Sequence, residues 1–307
     1  MGGTVAVVLG AQVTSACRQP RRLLRPRAFQ CAGQVIPGPA TEQDHSNSRL
    51  SAPRSGSTTS GVLFMASAVS IRPREDTVDS QLGSVAISQI DLGGIPRGAV
   101  LLLLGPGGDF ESDSTQHLND LATHGYEGVA ADLRGIDGTE DQLESVVESL
   151  LAHVARRGWE SEQTALLGYG LGGRVALSAS ARFGLGAAIS VSPTAIAAGD
   201  GHLSAAVARL APLVRTPWLG LFGEEDLTAP ATACDELETV LREDSPVFTQ
   251  LVRYPSVGDD FHRPSSESIE IAASYDYWQR TIEWLNLRVQ PRLTPLALAW
   301  NARRSLS

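Results

Sequence analysis

Leu166-Leu167-Gly168-Tyr169-Gly170-Leu171-Gly172-Gly173 is the stretch on which the reading of this chain turns. Residues 164–168 form an apolar run of strand type, and residues 172–182 have helical character. Gly168, Gly170, Gly172 and Gly173 lie where the two meet. The chain must pass from strand to helix in a very tight turn, which small residues and glycine permit. Hydrolytic enzymes that use such a turn, written G-x-nucleophile-x-G, carry Ser or Cys at its apex in a strained conformation. Here the apex is Gly170. Glycine keeps the shape at little steric cost, but it brings no nucleophile.

The same letters also fit the dinucleotide fingerprint G-x-G-x-x-G through Gly168, Gly170 and Gly173. That motif needs an acid at the end of the next strand, about 20 residues on, to bind a ribose. The next strand ends Ser190-Val191-Ser192-Pro193 and carries none. The motif also lies mid-chain rather than in a first strand–helix–strand unit. Nucleotide binding at residues 168–173 is therefore the weaker alternative.

Working outward, strands are expected at residues 84–90, 99–104, 127–132, 187–191, 218–222 and 248–254. Helices are expected at 112–124, 140–157, 231–242 and 267–287. In the second of these Leu143, Val146, Val147, Leu150, Leu151 and Val154 share one stripe. Strands alternating with helices predict an α/β architecture, a mostly parallel sheet with helices on both faces. Ligands of such sheets bind beyond the carboxyl ends of the strands. The polar loops fall there: Gly105-Pro106-Gly107-Gly108, Asp132-Leu133-Arg134-Gly135, Ser192-Pro193 and Gly223-Glu224-Glu225-Asp226.

Taken in order, these motifs resemble the dienelactone hydrolase family, of α/β-hydrolase fold. Its elbow reads G-x-C-x-G-G, matched at Gly168 to Gly173 apart from the cysteine. Gly125-Tyr126 and Asp132-Leu133-Arg134-Gly135 resemble the family's GY…DL-x-G. Gly223-Glu224-Glu225-Asp226 with Pro230 resembles the loop of the triad acid. Tyr254-Pro255-Ser256-Val257-Gly258-Asp259-Asp260-Phe261 resembles its Y-x-x-A-x-H-G-F, which carries the triad histidine. The resemblance spans about residues 84–287. It implies Asp226 as acid, Gly170 at the nucleophile position and Asp259 at the histidine position, the last two degenerate. Gly105 stands where the family tends to have Glu. The oxyanion donors would be Leu171 N–H and the region of Pro106 and Gly107, and proline has no N–H. Asp226 and Asp259 would then be neighbouring carboxylates that repel or share a proton. Tyr169, Arg134 and Ser192 complete the expected pocket. His262, three residues past Asp259, is a candidate substitute histidine. On the residues alone it reads as a surface-loop histidine, and Ser192-Pro193 reads as a turn or cap.

The 307 residues include 42% hydrophobic and 19% charged side chains, ordinary for a globular chain. Residues 1–64 hold seven Arg against Glu42 and Asp44, about +5, which leaves about −14 on the rest of a chain of net charge −9. Such an acidic body argues against a nucleic-acid partner. All 25 basic residues are Arg, so a catalytic lysine is excluded. Cys17, Cys31 and Cys234 fit neither a zinc site nor a disulfide framework. His117, His124, His153 and His202 lack ligand spacing, so no metal and no cofactor is assigned. No run approaches the roughly 20 apolar residues of a membrane span.

Residues 1–64 are rich in Arg, Pro, Ser, Gly and Thr and read as a disordered N-terminal tail. A transit peptide fits the same composition, and Cys17 after Thr14-Ser15-Ala16 weakly resembles a lipoprotein cleavage site. A mis-called extension before a true start at Met65 fits equally well. The expected domain is 65–288, with a loose tail at 289–307. The expected location is cytoplasmic.

Two functional expectations result. In the first, the chain is a catalytically impaired α/β-hydrolase that binds a small ester- or lactone-like ligand or a protein partner. In the second, it hydrolyses small esters or lactones with a non-standard constellation around Asp226, Asp259 and His262.

Overall fold

A computed structural model describes residues 70–136, 138–263 and 265–304. The expectations for residues 1–64 lie outside these. Eight strands form one sheet: β1 Arg74–Ser80, β2 Gly83–Ile90, β3 Gly98–Leu104, β4 Tyr126–Asp132, β5 Thr164–Tyr169, β6 Ala187–Val191, β7 Trp218–Gly223 and β8 Thr249–Tyr254. Their spatial order is β1-β2-β4-β3-β5-β6-β7-β8. β2 is antiparallel to both β1 and β4, and every other pair is parallel. The mostly parallel α/β-hydrolase sheet expected from the sequence is present.

The helices are α1 Phe110–Thr123, α2 Glu140–Ala155, α3 Leu171–Arg182, the short α4 Ala205–Ala208, α5 Ala231–Asp244, α6 Ser268–Arg288 and α7 Pro295–Arg304. The pleat sorts the strand side chains between two cores. Ala99, Leu101 and Leu103 of β3 join Leu166 and the inner faces of α2, α3 and α5. Val100, Leu102 and Leu104 face the other way, with Leu167, Ile189, and the apolar stripes of α1 and α6. β3 is buried at all seven positions, as expected for a central parallel strand.

Helix starts follow the capping chemistry of their sequences. Asp109 accepts from Ser112 N–H at 3.0 Å and starts α1. Thr139 and Gln142 form a capping box at α2. At α3 the N-cap is Gly170, and no side chain caps that end.

Two elements differ from the sequence reading. Strand β1, Arg-Glu-Asp-Thr-Val-Asp-Ser, has one buried residue, Val78, and so shows no apolar alternation. It is an edge strand, where polar residues guard against further pairing. In the expected loose tail stands α7, whose alanines and leucines favour helix. Thr294 Oγ1 accepts from Ala297 N–H at 3.1 Å in its first turn. None of its residues is buried.

The end of the sheet away from the polar loops is tied by Glu127. Its Oε2 accepts from Arg157 Nη2 and Trp159 Nε1, both at 2.9 Å, and its Oε1 accepts from Leu92 N–H at 3.2 Å. Removing a partly buried carboxylate with three donors leaves those donors unmet. Glu127→Ala is expected to lower unfolding free energy by about 3 kcal/mol, read from urea denaturation. A change within about 0.5 kcal/mol would mean that the network is too hydrated to matter.

Candidate active site

The turn from β5 to α3 has the geometry of a nucleophile elbow. Gly170 has φ 55° and ψ −115°, outside the regions open to ordinary residues. Its N–H donates to Val191 O at 3.0 Å, and its carbonyl accepts from Thr194 N–H at 3.2 Å. The flanks leave no room for side chains. A Cβ on Gly168 would stand 2.0 Å from Gly172 O, and one on Gly172 would stand 2.0 Å from Leu103 O. A Cβ on Gly173 would meet Gly168 O and Val191 O at 3.1 Å. Close packing thus accounts for Gly168, Gly172 and Gly173 without a nucleotide. Gly170 is different: its Cβ would meet only Thr194 Cγ2, at 3.9 Å. The apex has room for a side chain and carries none.

Above the elbow lies a cavity of about 500 Å³. Five segments line it: the β3 loop from Leu104 to Gly108, the α1 face with Asp113, Gln116 and His117, the elbow from Tyr169 to Leu171, Ser192 and Thr194 after β6, and Asp259, Asp260, His262 and Arg263 before α6. It sits at the carboxyl ends of the strands, where ligands of such sheets bind.

Most sequence candidates meet in this cavity. Gly107, Tyr169, Gly170, Leu171, Ser192, Asp259 and His262 all line it. Arg134 and Asp226 do not. Arg134 pairs with Asp132 through Nε–Oδ1 at 2.9 Å and Nη2–Oδ2 at 2.8 Å, and its Nη1 donates to Gly108 O at 3.1 Å. It braces the glycine loop from outside the cavity. Asp226 is 3% exposed. Its Oδ1 accepts from Thr228 N–H at 2.8 Å and Thr228 Oγ1 at 2.7 Å, while its Oδ2 is buried with no partner. No hydrogen bond joins Asp226 to Asp259 or His262 among the described residues.

His262 is no surface-loop residue. Its ring lies 4.9 Å from that of Tyr169, 6.0 Å from Phe261 and 6.3 Å from Tyr277. His117, which lacked ligand spacing in the sequence, stacks on Tyr169 at 4.8 Å. A signal for it existed: Ser114, Leu118 and Leu121 are buried on α1, and position 117 belongs to the same i, i+3, i+4, i+7 stripe. Both rings keep an edge open, yet both Nδ1 atoms are hidden and unpaired. Burial, with help from His117 and Arg263, pushes the His262 pKa down to about 3 against a backbone hydrogen bond to Asp259. Burial and Arg263 push His117 down to about 4. Burial and the neighbouring Tyr277 hydroxyl raise the Tyr169 phenol well above 10. The two hydroxyls interact, but Tyr169 Oη has no hydrogen bond of sound geometry. At neutral pH this wall is uncharged. Asp113, Asp259, Asp260 and Arg263 carry the charge of the lining.

Ser192 is strained. It has φ 43°, unusual for a residue with a side chain, and is 3% exposed with an unpaired Oγ. Cys234 is buried on α5, and its Sγ donates to Ala229 O at 3.4 Å. Burial pushes its thiol up to about 12, so it is inert. Among the described residues no three metal-ligating side chains converge, and no helix is long and apolar enough to cross a membrane.

The family model for dienelactone hydrolases matches residues 114–288, more than half of the chain. This chain belongs to the dienelactone hydrolase family. Solved structures share its fold. A candidate dienelactone hydrolase from Klebsiella pneumoniae subsp. pneumoniae MGH 78578 is 20% identical with TM-score 0.59, over 70% of this chain and 98% of that one. An esterase from Pyrococcus furiosus is 14% identical with TM-score 0.57, over 72% of this chain and 94% of that one. An acylaminoacyl peptidase from Pyrococcus horikoshii is 12% identical with TM-score 0.58, over 73% of this chain and 43% of that one. No curated protein sequence matches significantly.

Two tests follow from this geometry. Gly168→Ala and Gly172→Ala force a methyl onto backbone and are expected to cost about 3 kcal/mol or more. Gly170→Ala meets open space and pays only for its backbone, about 1–2 kcal/mol. Urea denaturation of the three variants gives that ranking, and equal losses would contradict the elbow. The second test concerns pH. Both cavity histidines have folded pKa values below the unfolded value of 6.5, so the unfolded chain binds more protons between about pH 4 and 6.5. Stability is then full above pH 6.5 and falls as the pH drops towards 4. His262→Gln is expected to flatten that slope by about 1 kcal/mol per pH unit. An unchanged slope would mean that the ring is hydrated.

Proposed function

We propose that this member of the family binds a small ester- or lactone-like molecule in the elbow cavity and does not form an acyl-enzyme on it. The observation that carries this reading is Gly170: elbow conformation, open space, no nucleophilic atom. Asp259 in the cavity lining, where the family has its histidine, supports it further. Triads act as units, and loss of both nucleophile and base removes most of the rate. A protein partner at this site is the less specific form of the same reading.

The second reading is hydrolysis by direct attack of water, with Asp226, Asp259 and His262 in non-standard roles. Its support is the unpaired buried Oδ2 of Asp226 and the open position of Asp259 in the cavity. His262 adds little as a base, because a pKa of about 3 leaves it weakly basic.

Hydrolysis of p-nitrophenyl acetate separates the two. The wild-type chain is expected to match background, and so is Asp226→Ala. Gly170→Cys combined with Asp259→His is expected to release a burst of p-nitrophenolate close to one per chain, as the thiolate takes the acetyl group. Wild-type turnover that disappears in Asp226→Ala would instead establish the water mechanism.

A further inference from the structure

We infer that the site vacated at Gly170 binds the carboxylate of a small monocarboxylic acid, the kind of product that ester or lactone hydrolysis releases. The inference rests on the binding reading above and goes beyond it by naming the charged group held. Three observations carry it.

The first is the uncapped start of α3. Its first N–H groups have no intrahelical acceptor, Gly170 offers no capping side chain, and no acid stands in the first turn. α1 and α2 both have capping side chains and first-turn acids. A twelve-residue helix brings partial positive charge to that end, which favours an anion. Gly105 leaves the approach open, since a Cβ there would stand 3.2 Å from Leu171 N.

The second is Ser192. It shares the cavity wall with Gly170 and Leu171, is 3% exposed, and its Oγ has no partner. Its N–H is already used, donating to Leu221 O at 2.9 Å. A buried unpaired hydroxyl costs stability unless something meets it. The cavity wall therefore offers an anion a helix terminus and one unmet hydroxyl group.

The third is space and charge. Without a side chain at 170 the nearest obstacle to a Cβ is 3.9 Å away, so an oxygen of the ligand has room where a nucleophile would stand. Arg263 lines the cavity, its Nη2 3.3 Å from where a Cβ of Gly108 would be. Asp113, Asp259 and Asp260 line it as well. Three carboxylates against one guanidinium leave the lining negative and repel a dianion more than a monoanion, so a monoanion is favoured over a dianion and is held at the helix terminus rather than among the acids.

The probes are butyrate and phenylacetate, with butyramide, phenylacetamide, ethyl butyrate, γ-butyrolactone and inorganic phosphate beside them at fixed ionic strength. Calorimetric titration of the wild-type chain is expected to show saturable binding of the two acids at least tenfold tighter than their amides and than phosphate. Ser192→Ala and Gly170→Ala are each expected to weaken acid binding at least tenfold. If Gly170→Ala fails to fold, Ser192→Ala decides alone. Amides binding as well as acids, phosphate binding more tightly, or an unchanged affinity in Ser192→Ala would overturn the inference. Binding of the ester or lactone without the acid would overturn it too, yet would leave the binding reading standing. Turnover of ethyl butyrate with no acid binding would overturn both.

Discussion

β5 can feed α3 only because the backbone at Gly168 and Gly172 comes closer than any side chain allows. The carbonyl of Leu103 on the neighbouring strand occupies the place of a Gly172 Cβ, and the Gly172 carbonyl occupies that of Gly168. These contacts press the start of the helix against the centre of the sheet. They hold Gly170 out of the sheet in a conformation that L-residues avoid. The remaining walls depend on that position. The residues after β6 attach to the apex through Thr194 N–H, and Val191 O accepts from the apex N–H. The cavity is the space left above this junction.

An elbow kept by packing can outlast the chemistry it usually serves. Steric demands fall on Gly168, Gly172 and Gly173, and nothing but backbone conformation falls on Gly170. Replacing an apex nucleophile with glycine therefore relieves strain and leaves the fold intact. The surrounding groups bear the same mark. Asp226 keeps its burial and its Thr228 donors but leaves Oδ2 unpaired. His117, Tyr169 and His262 pack as a neutral aromatic ladder rather than as a proton relay. On the proposed reading, a glycine at the apex leaves a receptive surface in place of a reacting one: an open helix terminus beside an unpaired hydroxyl.

The sheet and its order of motifs were legible because each parallel strand is a buried apolar run ending in a polar loop. The elbow was legible from glycine spacing alone. Strand β1 was not, since a polar edge strand shows no alternation, and α7 was hidden by the prolines around it. In the site, Gly107, Tyr169, Gly170, Leu171, Ser192, Asp259 and His262 converge as their places after the strands implied. Arg134 does not, because Asp132 two residues before it captures its guanidinium. His117, Asp113 and Gln116 escaped notice because they reach the cavity from a helix face, not from a strand end. The strain at Ser192 leaves no trace in the sequence beyond the proline that follows it. The environment of His262 depends on rings from β5 and α6 that only the folded chain assembles.

Whether the cavity has lost covalent chemistry can be read most directly from intact-protein mass after exposure to an alkyl fluorophosphonate. Such a reagent phosphonylates an activated serine with loss of fluoride and needs no knowledge of the natural ligand. The expected result is an unmodified mass at reagent concentrations that fully label an active serine esterase run in parallel. A single stoichiometric adduct, mapped by peptide sequencing to Ser192 or to another residue of the cavity, would contradict the proposed loss of nucleophilic catalysis.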